Sequence, residues 1–164
     1  MRAAARSLVA ALLTTIAACG GDDEPKGAEA RLDLTTPATR STPAPPEPVS
    51  RGEAAVIRGW ARSLRHGHAI RASHYFAIPS TIINGTPPVP IKTRKLARLF
   101  NTSLSCGAKV VSLKRMENHL VLATFRLTER PGGDCGPGVD NLAYTAFRIR
   151  HGRITEWIRV DGPG

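Results

Sequence analysis

The spacing of apolar residues changes period once between residues 50 and 160, and this change limits the fold more than any other feature. Up to about residue 100 the spacing is helical. Ser50-Arg51-Gly52-Glu53 reads as a capping box, and Ile57, Trp60, Ala61 and Leu64 follow at i, i+3, i+4 and i+7. A second short helix is expected over 69–77, with Ala69, Ala72 and Phe76 inward and Pro79 stopping it. "STII", 80–83, reads as a short strand, and "NGTPP", 84–88, as a loop. Thr93 is expected to cap a third helix with Leu96, Leu99 and Phe100 on its inner face. From residue 108 the period becomes two. Strands are expected over 108–116, 119–129, 141–150 and 153–160, with Val121, Ala123, Phe125 and Leu127 on one face. Turns fall at Glu117-Asn118 and His151-Gly152, and a glycine-rich loop spans 130–138. Three helices followed by four long antiparallel strands predict an α+β domain, helices packed on one face of a curved sheet.

The first 49 residues are expected to stay outside that domain. Arg2 and Arg6 precede an apolar stretch from Leu8 to Ala18, the layout of a secretory signal peptide and too short to span a bilayer. Ile16-Ala17-Ala18-Cys19 resembles the bacterial lipobox, in which the cysteine takes a diacylglycerol and becomes the first residue after cleavage. Residues 1–18 are therefore read as a lipoprotein signal peptide and Cys19 as the lipidated residue. The chain is expected to be extracytoplasmic and anchored to the bacterial cell membrane. Residues 19–49 hold Pro25, Pro37, Pro43, Pro45, Pro46 and Pro48 and no aromatic, so they are expected to form a disordered, acidic, proline-rich tether.

Residues 50–164 carry eighteen Lys/Arg against seven Asp/Glu, a net +11. This excess attracts anions in general. Nucleic acid is not expected as a partner, because the arginines are spread over every element and aromatics do not interleave with them. Anionic lipid fits better beside a membrane anchor. The plainest reading is that many arginines are solvated surface or outer strand faces.

With Cys19 assigned to lipid, Cys106 in "SCGAK" and Cys135 in "GDCGPG" are the remaining pair. Disulfides persist outside the cytoplasm, so a bridge is expected. A redox or metal pair is disfavoured, since no third and fourth ligand stands at a useful spacing.

Three segments resemble one known family. "VIRGWARSLRHGHAIRASHYFA", 56–77, looks like the opening helix pair of nuclear transport factor 2-like proteins, the SnoaL-like and ketosteroid-isomerase-like group. "IKTRKLARLF", 91–100, fits their third helix, and "AYTAFRIRHGRITEWIRV", 143–160, looks like their closing hairpin. The resemblance covers nearly all of 50–160. It implies a cystatin-like cone whose helices and sheet enclose a pocket, on a fold that hosts enzymes, binders and dimerisation modules. In the isomerase branch a carboxylate base follows the second helix, where this chain has Asn84. The oxyanion donors are a tyrosine in helix one and an aspartic acid in the penultimate strand, where this chain has Trp60 and Thr145. Asn cannot act as a base at neutral pH. All three roles are absent, which argues against steroid-isomerase chemistry.

Trp60, Phe76, Asn84, Phe100, Phe125, Tyr144 and Trp157 are the expected pocket-lining residues. His74, Tyr75 and Tyr144 are the catalytic candidates for a SnoaL-like cyclase, isomerase or hydratase. A lone histidine on a short helix is more often structural. His66 and His68 lack a carboxylate partner for a metal, and Asp134, Asp140 and Asn141 match no calcium-loop spacing. No cofactor and no metal are expected. The favoured expectation is a membrane-anchored lipoprotein that binds a small apolar or anionic ligand, or a partner protein, without catalysis. A homodimer through the sheet is a further expectation.

Overall fold

Six strands form one sheet in the order β2-β1-β6-β5-β4-β3, as seen in a computed structural model that describes residues 47–162 except Thr86. The strands are β1 (Phe76–Ile83), β2 (Val89–Ile91), β3 (Gly107–Arg115), β4 (Val121–Thr128), β5 (Leu142–Arg150) and β6 (Arg153–Val160). Three helices, α1 (Arg51–Arg65), α2 (Ala69–Ser73) and α3 (Arg94–Ser103), pack against it. Cys19, the expected signal peptide and most of the expected tether lie outside the described residues. Among the described residues no helix is long and apolar enough to cross a membrane.

α1 forms as its sequence dictates. Ser50 accepts from the Glu53 backbone N–H, while the Glu53 carboxylate accepts from Ser50 N at 3.0 Å. Ile57, Trp60, Ala61 and Leu64 are all buried, as the helical spacing requires. The two tryptophans and four phenylalanines of the whole chain then form one network of edge-to-face contacts. Trp60 meets Phe76, Phe125 and Phe147 with ring centroids 5.4–6.4 Å apart. Phe100 bridges Phe76 at 5.8 Å and Trp157 at 5.2 Å. Such pairs contribute about 0.5–1.5 kcal/mol each beyond area burial.

Four expectations need correction. The second helix does not run over 69–77 but stops at Ser73. Phe76 instead opens β1, because parallel pairing with β6 holds it: Phe76 faces Ile154, whose N–H donates to the Tyr75 carbonyl at 2.8 Å. Pro79 therefore lies within a strand, in a stretch where the β1–β6 register shifts. The sheet is mixed rather than purely antiparallel, since β1 runs parallel to β6. β2 was not expected; it is a three-residue edge strand just after the expected 84–88 loop, and Pro90 is tolerated in it because an edge needs fewer ladder donors.

The fourth correction concerns α3. Thr93 caps it as expected, accepting from Leu96 N at 3.2 Å. The buried face is Ala97 and Asn101 with Phe100 partly buried, whereas Leu96 and Leu99 are 40% and 63% exposed. A polar pair turns the helix this way. Asn101 accepts the Trp60 indole N–H at 2.8 Å and donates to Ala97 O at 2.7 Å, inside the core. An unpaired indole N–H would cost about 1–3 kcal/mol there.

Many arginines are not merely solvated surface. The Arg130 guanidinium is buried and donates to Thr102 O at 2.9 Å and Leu104 O at 2.8 Å, closing the carbonyl end of α3. Arg94 donates to Phe76 O at 3.0 Å, and Arg153 to His74 O at 2.7 Å. Arg126 and Arg148 likewise donate to Asp140 O and Asn118 O. Backbone carbonyls thus replace carboxylates as partners, which is how a domain with so few acids can order its arginines. The expected disulfide is present: Cys106 and Cys135 join the start of β3 to the glycine-rich loop.

Candidate functional site

The register of the central strands decides which side chains can meet. Thr145 of β5 pairs with Ala123 of β4 and with Arg159 of β6, and Phe147 pairs with Val121 and Trp157. Side chains alternate along a strand, so these six share the face on which α1 lies. Trp60 on α1 reaches Phe125 and Phe147 of that face.

Between α1, the end of α3 and this face is a cavity of about 490 Å³. Its walls are Trp60, Leu64, Leu104, Ala108, Phe125, Leu127 and Trp157, and its polar positions are Asn84, Ser105, Asn141, Thr145, Arg159 and Asp161. Cys106 of the disulfide is also in the wall. The size lies within the ~300–1,000 Å³ usual for small-molecule sites. Trp60, Phe125, Thr145 and Trp157 are each under 7% exposed, so the walls are core side chains held by packing. A second hollow, of about 800 Å³, runs along α1 between Arg51, Arg58, Arg62 and Tyr75. Those arginines are exposed, and that hollow is a surface groove.

The three positions where the resemblance places base and oxyanion donors all line the cavity: Trp60, Asn84 and Thr145. None is a proton-transfer group at neutral pH. Trp60 spends its N–H on Asn101. The other expected lining residues divide. Phe125 and Trp157 are in the wall, whereas Phe76 and Phe100 belong to the core behind it and do not line it. Tyr144 borders the cavity, but it pairs with Val160 in β6 and Thr124 in β4. That register puts its ring on the face opposite Thr145, and the ring lies against Gly162.

The catalytic candidates do not come together. His74 is an exposed residue at the end of α2 beside Arg98 and Thr102, and Tyr75 lies over Gly59 in the α1 groove. Neither lines the cavity. His66 and His68 are exposed, with ring centroids 6.1 Å apart, and among the described residues no cluster of three metal-binding side chains occurs. Asp134 and Asp140 lie away from the cavity, while Asn141 is at its mouth. Sequence reasoning missed Arg159 and Asp161. The signal was available: Arg159 is two residues after Trp157, and period two puts both on one face.

The strongest carboxylate effect in the described domain is structural. The Arg115 guanidinium beside Glu53 pulls that carboxyl down to about 2 from 4.5, against the opposing effect of burial. Both hydrogen bonds of this fork, 2.6 and 2.8 Å, tie α1 to the end of β3, away from the cavity.

No family model matches this sequence, and no curated relative does. Solved structures do. A cystatin-fold protein of Novosphingobium aromaticivorans aligns over 70% of this chain and all of its own length, at 11% identity and a TM-score of 0.50. Bal32a, from a soil-derived mobile gene cassette, aligns over 66% of this chain and 88% of its own, at 13% identity and a TM-score of 0.50. A ketosteroid isomerase-like fold protein of Catenulispora acidiphila is similar over 65% of this chain and 84% of its own, at 13% identity and a TM-score of 0.49. The fold is the cystatin-like cone of nuclear transport factor 2-like proteins. At these identities the likeness concerns the fold alone.

Proposed function

We propose that this chain is a membrane-anchored extracytoplasmic lipoprotein whose cone domain binds a small ligand without catalysis. One observation carries the binding reading: an apolar-walled cavity of about 490 Å³ has Trp60, Asn84 and Thr145 where isomerase-type relatives would need donors and a base. Lipobox-like Ile16-Ala17-Ala18-Cys19 supports the anchor. The ligand is apolar over most of its surface, because the walls are aromatic and aliphatic. The alternative, a SnoaL-like cyclase, isomerase or hydratase, would need Asp161 or Tyr144 at the mouth, since His74 and Tyr75 lie elsewhere.

Both tryptophans of the chain line the cavity, so intrinsic fluorescence reports its occupancy directly. A library of small apolar molecules is titrated by fluorescence and by thermal shift. Binding that is lost on filling the cavity with Ala108→Phe supports the reading; no response across the library overturns it. Incorporation of labelled palmitate by the wild-type chain, absent in Cys19→Ala, tests the anchor separately. Equal labelling of the two would refute lipidation at Cys19.

A further inference from the structure

The cavity has a cation on its rim with no carboxylate to receive it. Arg159 lies two residues after Trp157, on the same face, and pairs in register with Thr145 across β5 and β6. Directly opposite residues bring their Cβ atoms to about 4.5–5.5 Å, close enough to act on one group. The ion pairs among the described residues are Glu53–Arg115 and Glu156–Arg148, so Arg159 has no salt bridge there. This contrasts with the arginines that staple loops to backbone carbonyls. A guanidinium is permanently charged and its planar fork fits a carboxylate. Asp161 puts one negative charge on the same rim, which disfavours a doubly charged head group.

We infer that the cavity selects apolar monocarboxylates. The carboxylate pairs with the Arg159 guanidinium and the Thr145 hydroxyl, and the apolar body lies against Trp60, Leu64 and Phe125. This rests on the reading of the cavity as a small-ligand site and names the ligand class.

The test uses calorimetric titration of the full chain carrying Cys19→Ala with three ten-carbon probes: decanoate, decanol and decyl phosphate. Decanoate is expected to bind at least about tenfold tighter than decanol, the effect of a charged hydrogen-bonded contact. Arg159→Gln removes that preference and leaves decanol binding unchanged; Arg159→Lys keeps part of it. Arg159 is exposed, so its variants are expected to fold, and circular dichroism checks this. Equal binding of decanol and decanoate overturns carboxylate selection while leaving the small-ligand reading intact. Decyl phosphate binding as tightly as decanoate overturns the single-charge limit. Failure of all three probes to bind overturns both readings.

Discussion

Replacing Glu53 by Gln isolates the strongest electrostatic contact between a helix and the sheet. In the wild type the Arg115 fork and the Ser50 cap hold the Glu53 carboxyl at about 2 instead of 4.5. A carboxyl depressed this far is linked to roughly 3 kcal/mol of folding free energy above its unfolded value. The Glu53 side chain is 17% exposed, and solvent screening reduces the contribution to about 1–2 kcal/mol. The folded value is the lower one, so the stabilisation is fully present above about 4.5 and is lost as pH falls towards 2. Glu53→Gln removes the charge but keeps the shape. It also leaves the Arg115 guanidinium, 11% exposed and with its Nε already lacking a partner, without its counter-ion. At pH 7 the variant should melt about 4–8 °C lower, at roughly 4 °C per kcal/mol for a domain this size. The decisive measurement is the difference in unfolding free energy between wild type and Glu53→Gln, by urea titration from pH 7 down to pH 2. Other carboxylates titrate in both proteins and cancel in that difference. It should be constant above about pH 5.5 and shrink steadily below 4.5. A difference that stays the same down to pH 2, or is absent at pH 7, would refute the reasoning.

Three further outcomes follow from other contacts. Cys106 and Cys135 are 29 residues apart in sequence, so Cys106→Ser with Cys135→Ser should lower stability by about 3–4 kcal/mol in the chain-entropy treatment, read by urea unfolding against the oxidised parent. Gly59→Ala drives a methyl into the Tyr75 ring and hydroxyl. It should therefore destabilise α1 despite the ~1 kcal/mol better helix propensity of Ala, and Tyr75→Ala in the same chain should restore that gain in thermal melts. Leu122, Ala146, Ile158 and Ile83 form one cross-strand row on the sheet face opposite Trp60. If the chain dimerises through that face, Ile158→Arg gives a monomer in light scattering at concentrations where the parent is a dimer; a parent that is monomeric at 100 μM, or a dimer unaffected by the substitution, refutes it.

Period and capping determined much of this protein before any tertiary contact. The Ser50–Glu53 box and the 57, 60, 61, 64 spacing settled α1, because a cap and an apolar stripe are local properties. Alternation settled β3 to β6 and the hairpin at His151-Gly152, where both residues take positive φ. The alignment of Trp60, Asn84 and Thr145 on one cavity was legible through the resemblance, since all three lie on elements whose order it covers. What long-range pairing decided was not legible. Residues 74–77 read as helix because the Ala69, Ala72, Phe76 spacing is helical, but pairing with β6, some 80 residues away, ended the helix at Ser73 and made Phe76 and Ala77 strand. The rotation of α3 depended on the Trp60–Asn101 bond across 41 residues, which no local pattern encodes. Tyr144 illustrates the same limit at the site. Its sequence position is beside Thr145, yet one step along a strand reverses the face, and only the register shows which of the two residues meets Arg159.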